Sequence, residues 1–116
     1  MLVARSFGKS AWYVPGGKRD SGESDVETLC REVREELGAE VDIATVSFYG
    51  VFEAPADGKA DGTTVRVTCY AARLLHAPNA SAEIEQIAWV TVESRDQCSA
   101  VTRCILDHLR SSELID

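Results

Sequence analysis

The sequence predicts one mixed α/β domain, and three observations carry that prediction. Two Ser-x-x-Glu/Gln patterns, Ser24-Asp25-Val26-Glu27 and Ser94-Arg95-Asp96-Gln97, each precede residues with helical apolar spacing. Between them, Thr63 to Leu75 alternates two sets of residues, Val65, Val67, Cys69 and Ala71 against Arg66, Thr68, Tyr70 and Ala72, as a strand does. The chain has 116 residues, 45% hydrophobic and 27% charged. That length buries roughly 65–70% of the extended surface, enough for one core without staples.

Taken in order, Leu2 to Ala4 reads as a short strand, followed by a loop over Ser6 to Ser10. Trp12-Tyr13-Val14 is a second β-prone segment, stopped by Pro15-Gly16-Gly17. Gly22 and Ser24 open a helix with Ser24 at the N-cap and Glu27 at N3, running to Leu37, with Gly38 as the left-handed residue beyond it. Val41 to Val51 is β-rich, with Ile43, Val46, Phe48 and Tyr49. Ala54 to Gly62 holds Pro55, Asp57-Gly58 and Asp61-Gly62 and reads as a turn. After the Thr63–Leu75 strand and a loop over His76 to Ala82, Ile87 to Val92 around Trp89 reads as a further strand. The second capping box opens an amphipathic helix whose apolar positions are Cys98, Val101, Ile105 and Leu109.

Composition excludes several classes. No apolar run approaches the ~20 residues that span a bilayer, and the start lacks the basic and apolar regions of a signal peptide. The formal charge is −7, from 12 Lys+Arg against 19 Asp+Glu, which argues against a nucleic-acid polymer as partner. A small phosphorylated ligand remains compatible, because a bound cation reverses the local sign. Cys30, Cys69, Cys98 and Cys104 form no CxxC pair and no zinc spacing with His76 or His108. They read as reduced thiols of a cytoplasmic protein, and the two histidines as packing or surface residues.

The charge is concentrated. Between Asp20 and Glu36 stand seven acids and two bases. On a wheel of about 100° per residue with Glu32 at zero, Glu36 falls at about 40° and Glu35 at about 300°. Leu29, Val33, Val26, Leu37 and Cys30 follow between about 60° and 160° on the same wheel. Three carboxylates therefore share one arc beside the stripe that buries against a sheet. Like charges at i,i+3 and i,i+4 repel, and the repulsion grows near a low-dielectric boundary. A hard divalent cation, Mg²⁺ or Mn²⁺, relieves it.

Gly17, Glu23 and the run Arg31-Glu32-Val33-Arg34-Glu35-Glu36-Leu37-Gly38-Ala39 resemble the Nudix box, GX5EX7REUXEEXGU, at all seven fixed positions. A chance match in a chain of this length is roughly one in a million at average residue frequencies. Ala39 is smaller than the usual last residue of the box. Tyr13-Val14-Pro15-Gly16 resembles the strand and turn that lead into it. The likeness covers residues 2 to 92 in element order, with its specificity in 12 to 39.

The resemblance implies an α/β/α sandwich with a mixed β-sheet. It also implies a Mg²⁺- or Mn²⁺-dependent hydrolase that cleaves a nucleoside diphosphate linked to another group. Glu32 and Glu36 match the principal metal carboxylates, Glu35 a further ligand, and Gly16 a position whose carbonyl ligates metal. Glu23 and Arg31 match a pair that braces loop against helix. The general base is a box glutamate or one of Glu53, Glu83 and Glu85. Arg5 and Arg66 are candidates for substrate phosphates, with a surface ion pair as the plainer reading. Trp12, Tyr13, Phe48, Tyr70 and Trp89 include candidates for base stacking, although most such aromatics are core.

The expected reaction is cleavage of a nucleoside triphosphate to the monophosphate and pyrophosphate. ADP-ribose or a nucleotide sugar is the alternative, since Pro55 lies sixteen residues past Ala39, although within Ala54-Pro55-Ala56 rather than Ser-Pro-Gly. A non-catalytic nucleotide sensor is the alternative of another class. Members of the family usually carry one more strand before the one that Leu2-Val3-Ala4-Arg5 resembles. A sheet lacking that first strand leaves backbone groups and apolar surface uncovered, which leads to the expectation of a homodimer.

Overall fold

A computed structural model of the chain describes residues 1–56 and 62–115. Its regular elements are β1 (Leu2–Ser6), α1 (Asp25–Leu37), β2 (Val41–Pro55), β3 (Thr64–Leu74), β4 (Ile84–Trp89) and α2 (Ala100–Ser111), with a 3₁₀ turn over Val92–Gln97. Asp57-Gly58 and Asp61 of the expected turn lie outside the described residues.

Helix α1 forms where its caps place it. The Ser24 hydroxyl accepts from the Glu27 N–H at 3.1 Å, and the Glu27 carboxylate accepts from the Ser24 N–H at 2.9 Å. At the other end Gly38 takes φ 57°, which any side chain would strain, and its N–H closes on the Arg34 carbonyl at 3.1 Å.

The strands form two antiparallel pairs that are not hydrogen-bonded to each other. β1 pairs with β4 from Leu2 opposite Trp89 to Arg5 opposite Gln86. β2 pairs with β3 from Val41 opposite Leu74 to Pro55 opposite Thr64, with irregularities after Asp42 and after Phe48. The expected mixed sheet is thus divided, and the parallel pairing among the described residues is one bridge, Trp12 to Cys98. Trp12-Tyr13-Val14 contributes that bridge and one from Tyr13 to Ala4 instead of a regular strand.

Alternation along β1 and β4 builds the layers. Leu2 and Ile87 pack with Val33, Leu37, Ala39 and Val41 around α1, whereas the adjacent Val3 and Ala88 pack with Leu106, Val90 and Cys98 on the α2 side. Successive residues of a strand face opposite ways, so the two helices cover opposite faces of this sheet: an α/β/α arrangement. α2 is also tied to β2, where the Tyr49 hydroxyl meets His108 Nδ1 at 2.6 Å and the His108 ring stands edge-on to Phe52.

Two expectations about the C-terminal part need correction. Ser94 does not cap α2; Thr91 caps the 3₁₀ turn, and the helix begins at Ala100. The cause is tertiary: the Trp12 N–H bonds the Gln97 carbonyl at 2.9 Å and the Ser99 N–H bonds the Trp12 carbonyl at 2.7 Å, which holds Cys98 extended. The strand around Trp89 begins at Ile84 and ends at Trp89, whose side chain is 70% exposed. A groove of about 340 Å³ runs between the two strand pairs, lined by Leu2, Leu29, Val33, Ala71, Trp89 and Ile105. Among the described residues no helix is long and apolar enough to cross a membrane.

Candidate active site

The loop between Tyr13 and α1 doubles back over the helix. Gly16 takes φ 151°, a conformation that a side chain disfavours, and its N–H donates to Glu36 Oε1 at 2.9 Å. Glu36 is only 3% exposed. Burial raises its carboxyl from the ordinary 4.5 to about 7; the Gly16 N–H works against the rise, and the nearby Glu32 and Glu83 carboxylates add to it.

Glu83 arrives there through backbone contacts. The Asn79 N–H bonds the Leu37 carbonyl at 2.8 Å and the Ser81 N–H bonds the Glu36 carbonyl at 3.0 Å, docking the loop before β4 onto the end of α1. These bonds satisfy carbonyls that a helix end leaves open. The Glu83 carboxylate thereby comes near enough to Glu36 to help raise its pKa.

Glu32 stands one turn earlier, its side chain 12% exposed, and accepts from Arg31 Nη1 at 2.8 Å. Gly17 presses against it: a Cβ there would lie 2.5 Å from the Glu32 carboxyl carbon. Glu35 is 53% exposed and meets Arg31 Nη1 at 3.4 Å, turned outward from Glu36.

Arg31 joins these parts. Its Nε and Nη2 grip the two Glu23 oxygens at 2.8 and 3.0 Å, and Nη2 also bonds the Lys18 carbonyl at 3.0 Å. Glu23 in turn accepts from the Asp20 N–H at 2.8 Å and the Thr28 hydroxyl at 3.1 Å. The Arg31 guanidinium holds the Glu23 carboxyl down at about 2, and its own pKa is raised by the same contact.

The other candidates are placed apart. Glu85 lies within β4 instead of ahead of it, and pairs with Arg5 at 3.2 Å. Arg5 also bonds Gln86 and stacks its guanidinium 5.0 Å from the Trp12 ring centre. Glu53 faces Arg66 across the β2–β3 ladder at 3.6 Å, both exposed. Arg66 nevertheless lines a cleft of about 1060 Å³ whose walls include Gly16, Gly17, Glu32, Tyr13 and Tyr70. Phe48 stands edge-on to Tyr70 at 5.8 Å, outside that lining. A link that the sequence does not signal crosses the cleft: Asp25 accepts from Tyr70 at 2.8 Å and from Arg19 at 3.1 Å.

Among the described residues no three acid, histidine or cysteine side chains already form a metal cage. The donors nonetheless suit a hard divalent cation. Glu36 is a buried all-oxygen donor beside two further carboxylates, and among the described residues no lysine or arginine pairs with it.

This loop–helix arrangement defines a class. The chain matches the family model described as NUDIX domain over residues 1–103, belongs to that family, and is a Nudix hydrolase. Over 102 residues it is 34% identical to "Nucleoside triphosphatase NudI" of Enterobacter sp. (strain 638), covering 81% of this chain and 71% of that protein. Its fold matches the solution structure of the E. coli ORF135 protein with a TM-score of 0.72 at 23% identity, over 99% of this chain and 84% of that one. It also matches a MutT NUDIX hydrolase from Burkholderia pseudomallei with a TM-score of 0.71 at 24% identity, over 91% and 84% of the two chains.

Proposed function

We propose that this Nudix hydrolase converts nucleoside triphosphates to monophosphates and pyrophosphate with Mg²⁺ or Mn²⁺. The observation that carries the reading is the buried Glu36 carboxylate, held by the Gly16 N–H and crowded by Glu32 and Glu83. Glu32 and Glu36 would hold the ion, with the Gly16 carbonyl and Glu35 as further donors. A divalent ion held there would offset charge building on the phosphates and lower the pKa of an attacking water.

The chain's own residues supply the positioning. Arg31 and Glu23 fix the loop so that Gly16 and Glu36 keep their separation. Glu32 is the carboxylate among these that lines the cleft, so the reacting phosphate lies on its side of the loop. Glu83 is the better candidate for the general base from outside the box. Glu53 and Glu85 are already paired with Arg66 and Arg5, while Glu83 shares the Glu36 site.

Triphosphates are favoured by the name of the 34% identical relative and by the basic residues lining the cleft. Four free cysteines suit a cytoplasmic setting. The open groove between the strand pairs supports a homodimer that covers it. A panel of nucleotides with and without Mg²⁺ tests the substrate, read as phosphate after added pyrophosphatase for the triphosphates and after added alkaline phosphatase for ADP-ribose, whose products are phosphomonoesters. Metal-dependent release of pyrophosphate from triphosphates is expected. Faster turnover of ADP-ribose than of any triphosphate overturns the reading.

A further inference from the structure

The cleft carries the opposite charge balance to the protein. The chain has a formal charge of −7, yet among the described residues the cleft lining holds four bases, Lys9, Lys18, Arg19 and Arg66, against two acids, Asp25 and Glu32. Most of these charges are already matched. Arg19 is paired with Asp25 at 3.1 Å, Arg66 with Glu53 at 3.6 Å, and Glu32 with Arg31 at 2.8 Å. Lys9 and Lys18 remain, with no ion pair among the described residues. They are also both of the described lysines; the third, Lys59, lies outside them.

Their backbones are anchored, while among the described residues their ammonium groups have no ion-pair partner. The Lys9 N–H closes a turn onto the Ser6 carbonyl at 3.1 Å, just after β1. The Lys18 carbonyl is held by Arg31 at 3.0 Å, directly after the Gly16-Gly17 turn that presses on Glu32. Two flexible point charges therefore stand on separate segments of one cleft, whose lining also includes Glu32. An ammonium of this kind suits a phosphate oxygen without requiring a fixed approach. A nucleoside triphosphate keeps a net negative charge after one divalent ion has bound it, whereas the diphosphate bridge of ADP-ribose keeps almost none.

We propose that Lys9 and Lys18 are specificity-determining residues that hold the terminal phosphates of a nucleoside triphosphate and so select it over ADP-ribose. This rests on the triphosphatase reading above. The test compares the wild-type enzyme with Lys9→Met, Lys18→Met, the double variant and Lys18→Arg, using dATP and ADP-ribose as substrates with Mg²⁺. Each single methionine variant raises KM for dATP by about 3- to 10-fold, and kcat changes little, because each removes one exposed ion pair to phosphate. The double variant loses more, Lys18→Arg recovers most of the affinity, and KM for ADP-ribose stays within about twofold. An unchanged KM for dATP in the double variant, or an equal loss with ADP-ribose, overturns the proposal.

Binding of a fluorescent, non-hydrolysable ATP analogue and of the matching ADP separates this claim from the functional reading. If no triphosphate is hydrolysed, the triphosphatase reading fails. The lysine claim then stands only if the double variant loses the preference for the triphosphate ligand, and falls if that preference is unchanged.

Discussion

Replacing Glu36 by glutamine should stabilise the metal-free protein while abolishing its activity. The Glu36 carboxyl is raised from 4.5 to about 7 in the fold. An unfolded chain ionises this group near its ordinary value, whereas the folded chain resists until about 7, so the folded state binds the extra proton between these values. The stability contributed by the protonated group is complete at low pH and is lost as pH rises through the folded value. At about pH 8 the loss is about 3 kcal/mol. Glutamine carries no charge to desolvate and keeps an oxygen for the Gly16 N–H, so it escapes the loss. Repulsion from Glu32 and Glu83 disappears with the charge and is included in that figure.

The assay is thermal unfolding of both proteins in EDTA. At about pH 8 Glu36→Gln should melt higher by on the order of 10 °C, and the gap should close toward about pH 5. Mg²⁺ should then raise the wild-type Tm at the higher pH and leave the variant's nearly unchanged. A variant less stable than wild type at both pH values would mean that the buried charge is already compensated in the resting protein, contrary to this expectation.

Arg31→Ala should cut kcat by about 10- to 100-fold and lower the Tm, since it frees Glu23, Glu32 and the Lys18 carbonyl together; Arg31→Lys should recover only part, having no fork for Glu23. Steady-state kinetics with a melting curve reads both effects. Gly17→Ala should keep the fold but displace the Glu32 carboxylate, which its Cβ would approach to 2.5 Å, with activity falling about tenfold or more. Full activity in that variant would place Glu32 outside the reaction. Light scattering at micromolar concentration should give twice the 12.6 kDa chain mass, and a clean monomer ends the homodimer proposal.

The box was legible because its chemistry is local. Ser24, Glu27 and Gly38 mark the ends of α1, and the wheel already places Glu36 between the other acids and the buried stripe. On the same wheel Glu36 lies next to the apolar stripe and Glu35 on the far side of Glu32, in keeping with the burial of Glu36 and the exposure of Glu35. Glu83 could be named only as one of three candidates. What brings it to Glu36 is a loop held by backbone bonds from Asn79 and Ser81 to the last turn of α1, and backbone bonds leave no side-chain signature. Arg5, Glu53, Arg66 and Glu85 are sorted by strand register, which shifts after Asp42, Phe48 and Arg5. The start of α2 departs from the Ser94 capping pattern for a comparable reason: the bridge from Trp12 to Cys98 outweighs it.

The proposal on which catalysis depends is a divalent-metal site at the buried end of the box helix. It is tested most directly by crystals soaked in millimolar Mn²⁺ with a non-hydrolysable triphosphate. An anomalous peak about 2.0–2.4 Å from a Glu36 or Glu32 carboxylate oxygen is the predicted result. Nucleotide bound in the cleft with no peak at either carboxylate would contradict it.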